Sequence, residues 1–410
     1  MLSYLEALDI LRGAAYPPRS HRIATQDARG HVLAEDFIAP ISLPRFDNSS
    51  MDGFALCATD TQGATEANPV ILPVRRAIAA GDAAGTHLAG QAVEIMTGAA
   101  IPDEADGVIP IEDISPVKND QDELTHIRIS RPVPLHDNIR FTGEDVQAGQ
   151  LLIKKGTLLT PSHIAILFAT GTTTITVSEM PTVRIFTTGK EVSDDYTQPL
   201  GPSQIYNSNT PYLIAELQGI GIPATCAGHI GDEEERFRAL LQETTDARIL
   251  VSSGAVSKGK WDFIPSILKE FGAEILFHRV AIKPGKPVLF ARLSDGRYFF
   301  GLPGNPISAA IGLRFFLIPL LRRLLGLADE QPRSAQLSAD FNKKGPLRLF
   351  LKARTQINTQ GINQVDILPG QESFKIAPLL QTNAWAVFTE PAAAFSAGQA
   401  VQYYPRRLLG

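Results

Sequence analysis

Leu2, Leu5, Leu8 and Leu11 recur at the three-residue spacing of one helix face, and the pattern stops at Gly13, before Pro17-Pro18. This predicts a helix over residues 3–13. Between residues 46 and 134 the pattern changes to short runs of β type, at 51–56, 70–74, 93–96, 107–111 and 124–129, separated by Gly, Pro, Asp and Asn. They predict a small all-β module. An extended run at 150–153, a helix over 161–169 behind Thr160 and stopped by Gly171, and a strand over 172–177 then look like a continuation of the first forty residues. The β module therefore reads as an insertion into an elongated first domain.

From Thr182 the rhythm becomes strand, loop, helix: a strand at 183–186, a helix over 211–217 that ends at Gly219, a strand at 223–227, a helix after Gly231-Asp232, and an apolar run at 249–251. Such alternation predicts a mostly parallel sheet covered by helices on both faces, ending near Leu327. After the polar break at 328–332 the tail returns to short strands with Gly and Pro turns. The expected fold class is a multidomain α/β protein. Its segments are 1–45 with 135–177 (elongated), 46–134 (inserted β), 178–327 (α/β) and 328–410 (C-terminal β).

Composition narrows the function classes. With 410 residues and 44% hydrophobic content the chain can bury several cores. A formal net charge of -5 argues against a general nucleic-acid binder, so an anionic ligand must be held by local positive groups and backbone N–H. No apolar run reaches membrane-spanning length, and Met1 leads into an amphipathic helix pattern rather than a signal peptide. A cytoplasmic location without a membrane partner is expected. Cys57 and Cys226 lack metal-type spacing, and the histidines form no ligand pair, which argues against zinc or haem.

Residues 249–308 carry the densest candidate chemistry. The 249–251 strand empties into Ser252-Ser253-Gly254-Ala255-Val256-Ser257-Lys258-Gly259, small residues that let backbone N–H groups approach an oxyanion. A helical pattern opens at Trp261 and ends at Gly272, so the loop sits between strand and helix. Lys283-Pro284-Gly285-Lys286-Pro287 follows, a turn whose prolines pre-place two ammonium groups. Gly301-Leu302-Pro303-Gly304-Asn305-Pro306-Ile307-Ser308 closes the set, with Asn305 suited to an N-cap, Pro306 to the first helical position, and an apolar helix pattern running on to Leu325.

Acidic residues fall repeatedly beside glycine: Asp52 before Gly53, Asp145 after Gly143-Glu144, Glu191 after Gly189-Lys190, and Asp232 after Gly231, joined by Asp262. Each has a structural alternative. Asp232 with Glu235 forms a capping-box pattern, Asp262 suits the first turn of its helix, and turn carboxylates are common. Taken with Lys283 and Lys286, however, acids placed around a multiply charged phosphate call for a divalent cation, and Mg²⁺ takes that mixture of carboxylate and phosphate oxygens. The substrate implied is a phosphorylated small molecule with chemistry at a phosphoanhydride.

These residues, in this order, resemble the molybdenum insertase family, which includes bacterial MoeA and the E domain of gephyrin. The matching runs are Asn48-Ser49-Ser50-Met51-Asp52-Gly53-Phe54-Ala55, Met96-Thr97-Gly98-Ala99, Gly143-Glu144-Asp145 and Thr188-Gly189-Lys190-Glu191. Tyr206-Asn207-Ser208-Asn209, Ser253 to Ser257 with Asp262, the Lys-Pro-Gly-Lys-Pro turn, and Pro303 to Ser308 complete them. The resemblance implies an elongated domain with an inserted β domain, a three-layer molybdopterin-binding α/β domain and a C-terminal β-barrel-like domain. It also implies a reaction in which adenylylated molybdopterin and molybdate are bound with Mg²⁺, the pyrophosphate bond is hydrolysed, and AMP leaves.

Carried onto this chain, the resemblance gives Ser252, Ser253, Gly254, Ser257, Pro303, Gly304, Asn305 and Ser308 to the phosphate seat. It gives Glu191, Asp232 and Asp262 to the cation and leaving group, and Lys283 with Lys286 to molybdate. A homodimer with a shared site is implied, to which Asp52, Thr97 and Asp145 contribute, and a molybdopterin adenylyltransferase is the implied upstream partner. Some positions depart from the pattern: Ala255 replaces a second glycine, Pro346 and Lys352 stand where the family offers Gly-Arg and Phe-x-Arg, and Ala377-Pro378 replaces a serine pair near Ser373. Lys352 or Arg354, with Ser373, is expected to serve in their place, although lysine lacks the bidentate fork of arginine. The competing readings are an adenylyltransferase-like or other nucleotide-conjugate enzyme, which would need only the α/β domain, and a non-catalytic scaffold.

Overall fold

The computed structural model describes the chain except residues 87–88, 232, 255–262, 390, 392 and 407–410. Two compact units form: one comprises Met1–Glu35, Lys155–Ile164 and Thr173–Gly410, the other Asp36–Lys154 and Ala165–Thr172. No helix among the described residues is long and apolar enough to cross a membrane.

In the first unit a six-stranded sheet runs in the order Ala224–His229, Val183–Thr187, Ile249–Ser253, Tyr298–Leu302, Leu289–Arg292, Glu274–His278. The first four strands are parallel and the last two antiparallel, in keeping with the mostly parallel sheet expected from the sequence. Ile249 and Val251 face a layer holding the helices Tyr4–Ala14, Asn209–Gln218 and Pro306–Gly312, while Leu250 packs with Phe237, Ile264 and Leu268 of the opposite layer. Both faces are buried, which explains why the strand reads as an unbroken apolar run.

The first helix begins at a capping box, with Ser3 and Glu6 exchanging hydrogen bonds with each other's backbone, and buries Tyr4, Leu8 and Leu11. Leu5 is left exposed, so the predicted Leu-rich face is rotated slightly from its simple spacing. The apolar pattern predicted as one helix up to Leu325 is a continuous helical run with a change of pitch: Pro306–Gly312 is α-helical, Leu313–Leu317 a π turn, and Ile318–Leu325 α-helical again. Pro319 has no N–H to complete the regular ladder, a sufficient cause for the wider turn before it. The helix Glu234–Glu243 starts from Glu233, which makes no side-chain cap bond, and Glu235 pairs instead with Arg238. The capping box expected of Asp232 and Glu235 gives way to that ion pair, Asp232 itself lying outside the described residues.

The C-terminal strands Arg333–Leu337, Arg348–Ile357, Asn363–Ile367, Ala384–Phe388 and Ala400–Pro405 close on themselves, because Arg348–Ile357 pairs with both Asn363–Ile367 and Ala384–Phe388. This is a five-stranded barrel around Leu337, Ala353, Val365, Ala386 and Phe388. The strand Ile282–Lys283 adds to it in parallel, with Lys283 opposite Leu349.

The second unit contains another six-stranded sheet, Gly107–Pro110, Gly53–Leu56, Ala92–Ile95, Val70–Ile78, Leu124–Ile129, Ile114–Lys118. The last strand was not expected from the sequence, since Pro116 interrupts it; it lies at the sheet edge, where a missing N–H is tolerated.

Candidate functional site

Thr187, Ser253 and Leu302 lie side by side in register at the carboxy ends of three parallel strands, with His229 flanking Thr187. The backbone leaves the sheet there and its loops are laced together. The Gly254 N–H donates to the Leu302 carbonyl at 2.9 Å, the Thr188 N–H to the Ser253 carbonyl at 3.1 Å, and the Gly189 N–H to the Gly231 carbonyl at 3.3 Å. Open parallel sheets bind ligands at this end, where strands terminate and helices begin.

Gly254 has φ +106°, and a Cβ placed on it would lie 2.4 Å from the Thr188 Oγ1, so only glycine allows the two loops to meet. Gly304 is looser: its nearest neighbour to such a Cβ is the Gly254 Cα at 3.8 Å. Gly189, at φ +110°, makes room for the Glu191 carboxylate, whose oxygens come within 2.8 Å of where its Cβ would be. The exposed Glu191 side chain thus folds back over the loop after the Val183–Thr187 strand.

A buried asparagine joins these loops. Asn209 Nδ2 donates to the Ser253 Oγ at 2.8 Å and to the Gly304 carbonyl at 2.7 Å, from the first residue of its helix. Asn209 and Thr188 were assigned no role from the sequence; the available signal was an asparagine opening a helical pattern directly after a strand-loop motif. Ser252 is fully buried and its hydroxyl has no hydrogen-bond partner. Asn305 occupies the N-cap position with Pro306 following, as expected, but makes no side-chain capping bond.

The lysine turn packs against the same helix. Gly285 has φ +95°, and its Cβ position lies 3.5 Å from the Ser308 carbonyl and from the Ile311 Cγ2, while Lys283 and Lys286 are exposed on either side. From the barrel, the Ser373 carbonyl accepts the Ile307 N–H at 3.0 Å. Lys352 is fully buried, and its ammonium donates to the Lys375 carbonyl at 3.0 Å and the Glu372 carbonyl at 3.4 Å. Burial pushes the Lys352 pKa below the usual lysine value, partly countered by the Glu372 carboxylate. Its side chain lies behind the Ser373 segment. Arg354 is exposed on the same strand, with Asp366 opposite on the neighbouring one.

In the second unit, Asp52 lies in the turn between Asn48–Ser49 and Gly53–Leu56. Its Oδ1 accepts the Thr97 N–H at 2.7 Å and the Thr97 hydroxyl at 2.8 Å, and these bonds hold its pKa below the ordinary carboxylate value. Asp145 is exposed, and its N–H donates to the Leu43 carbonyl at 3.0 Å. Glu191, Ser252, Ser253, Gly254, Lys283, Lys286, Pro303, Gly304, Asn305, Ser308 and Ser373 lie in the first unit, in the loops just traced and the elements packed on them. Asp232, Ser257 and Asp262 lie outside the described residues.

Residues 2–171 match the MoeA N-terminal region (domain I and II), and residues 184–323 match the probable molybdopterin binding domain. The chain is 34% identical over 412 residues to the molybdopterin molybdenumtransferase of Synechococcus elongatus, covering 98% of this chain and 99% of that protein. It belongs to the molybdopterin molybdenumtransferase family. The Bacillus subtilis member is 34% identical, with 93% of this chain and 88% of that one covered. The molybdopterin biosynthesis MoeA protein of Pyrococcus horikoshii OT3 superposes with a TM-score of 0.83 at 28% identity, over 98% of this chain and 99% of that one. The multidomain MoeA-like fold, with its barrel near the C-terminus, is therefore that of the molybdenumtransferase family.

Magnesium is the cation the carboxylates of this family member suggest. Of the three acids expected to hold it only Glu191 is described, and among the described residues no group of three or more His, Cys, Asp or Glu side chains could hold a metal ion. The exposed Glu191 carboxylate beside the Thr188–Ser253 lacing offers the hard oxygen donors that Mg²⁺ takes, so the described part of the donor set fits in kind.

Proposed function

We propose that this protein transfers molybdenum from molybdate to adenylylated molybdopterin and releases AMP. The observation that carries this reading is the meeting of the Ser253-Gly254 loop, Gly304 and the Lys283–Lys286 turn around the helix that begins at Pro306, with Ser373 bonded to its first turn. Backbone N–H groups and small residues suit the phosphate of the substrate, and two ammonium groups suit a second oxyanion beside it. Placing molybdate next to a phosphate is costly in charge repulsion, and the lysines offset it.

Ser253, Gly254, Pro303, Gly304, Asn305 and Ser308, with Ser252 and Ser257, would seat the phosphate side of the substrate; Lys283 and Lys286 would hold molybdate, with Ser373 and Arg354 at its barrel side. Asn209 acts through Ser253 by fixing its hydroxyl. Glu191, with Asp232 and Asp262, would hold Mg²⁺, which when bound supplies positive charge to the phosphoanhydride and the leaving AMP. The division into elongated, inserted β, α/β and barrel domains is part of this reading, as is the cytoplasmic location.

A homodimer also belongs to it, with Asp52, Thr97 and Asp145 of one copy completing the site of the other, and a molybdopterin adenylyltransferase supplying the substrate. The test is to incubate the purified protein with adenylylated molybdopterin, Mg²⁺ and molybdate. Molybdate-dependent release of AMP is expected, and its absence would overturn the reading. Gel filtration tests the shared site separately, since a monomer at micromolar concentration is incompatible with it.

A further inference from the structure

A cavity of about 440 Å³ opens beside the phosphate loops, within the size range of small-molecule sites. Its walls are largely hydrocarbon: Pro306, the ring of Tyr212, and Ile376, Ala377, Leu379 and Leu380 from the 3-10 turn of the barrel and its flank. Ile376 is 46% exposed and Leu380 91% exposed, so apolar surface faces solvent at the rim. The one charged group of the lining is already committed. Arg406 donates to the Glu216 carboxylate at 3.0 Å and to the Leu379 carbonyl at 2.8 Å, and so anchors the turn rather than waiting for an anion.

Two wall residues join the cavity to the proposed phosphate seat. Asn209, which bonds Ser253 and Gly304, is part of the lining, and Pro306 follows Asn305 directly. Polar groups are few but present: the lining includes Ser208, and burial, with the Glu216 charge second, keeps the Tyr212 phenol protonated. An apolar slot with sparse hydrogen-bonding groups, contiguous with an anion seat, suits a flat nitrogen heterocycle joined to a phosphate.

We propose that this cavity seats the fused bicyclic heterocycle of the substrate, the shared chemistry of its pterin and adenine halves, an assignment that rests on the molybdenum-transfer reading above. Ala377→Trp fills the slot, and Leu380→Asp places a charge at its exposed rim; neither position is buried, so both variants should fold, as circular dichroism will verify. The KM for adenylylated molybdopterin is expected to rise about tenfold or more in each, with the KM for molybdate unchanged. Direct titrations with AMP and with neopterin identify the half concerned, since the ring that occupies the cavity loses affinity in Ala377→Trp.

An unchanged substrate KM in both folded variants overturns the proposal, as does a parallel rise in the molybdate KM, which would mean the whole site had moved. Should the wild type release no AMP, the transfer reading fails and the titrations alone decide the cavity. Binding of either ring that Ala377→Trp abolishes supports the proposal, and binding of neither ring to the wild type overturns it.

Discussion

The Ile307 N–H donates to the Ser373 carbonyl at 3.0 Å, tying the first turn of the helix behind the phosphate loops to the C-terminal barrel. Behind Ser373, the Lys352 ammonium holds the carbonyls of Glu372 and Lys375. The barrel therefore reaches the site through a short segment fastened at both its front and its back.

Lys352→Met removes those bonds and leaves two carbonyls to find new partners, at a cost of about 1–3 kcal/mol. The expected outcome is a lower melting temperature and a raised KM for molybdate. Arg354→Ala, at an exposed position, should leave the melting temperature unchanged, and any change it makes should fall on the molybdate KM alone. Equal thermal shifts in the two variants would contradict the different placements of these side chains.

Gly254→Ala and Gly304→Ala should differ sharply. The first sets a Cβ against Thr188 at a positive φ, whereas the second meets nothing nearer than 3.8 Å. Molybdate-dependent AMP release should fall by at least about a hundredfold in Gly254→Ala, a shift of roughly 2.7 kcal/mol in transition-state free energy, and by much less in Gly304→Ala. Similar rates in the two variants would show that the lacing of these loops is not required.

Asn209→Ala leaves the Ser253 hydroxyl and the Gly304 carbonyl without their shared donor. A buried pair of lost bonds costs about 1–3 kcal/mol, so the thermal transition should move down by several degrees and AMP release should fall with it. Full activity with an unchanged melt would remove Asn209 from the positioning role.

Thr97→Val abolishes the hydroxyl bond to Asp52 and keeps the backbone one, so the Asp52 pKa should move partway back toward the free value. Because the folded pKa is depressed, whatever stability the pairing gives is present above the unfolded value of about 3.9 and is lost as pH falls through the folded one. A carbon-detected carboxylate titration of wild type and variant measures the shift. An identical titration in both would mean that the hydroxyl contributes nothing.

Much of the fold was legible in the chain itself. The Ile249–Ser253 strand announced itself as an apolar run that stops at small residues, and Pro306 at the start of an apolar periodicity marked its helix correctly. Lys352 was not legible in the same way. Its charge suggested an anion ligand, but a lysine on a barrel strand takes its role from the face of the strand it occupies, and here that face is closed.

What the sequence determined alone was the order and type of the elements and the small-residue loops between them, because periodicity and backbone permissiveness are local properties. The tertiary structure decided which loops meet: Asn209 against Ser253 and Gly304, Gly254 against Thr188, Ser373 against Ile307. Those meetings depend on strand order and register across the sheet, which bring together residues far apart in the chain, and no local pattern of hydrophobic and polar positions encodes a distance between them.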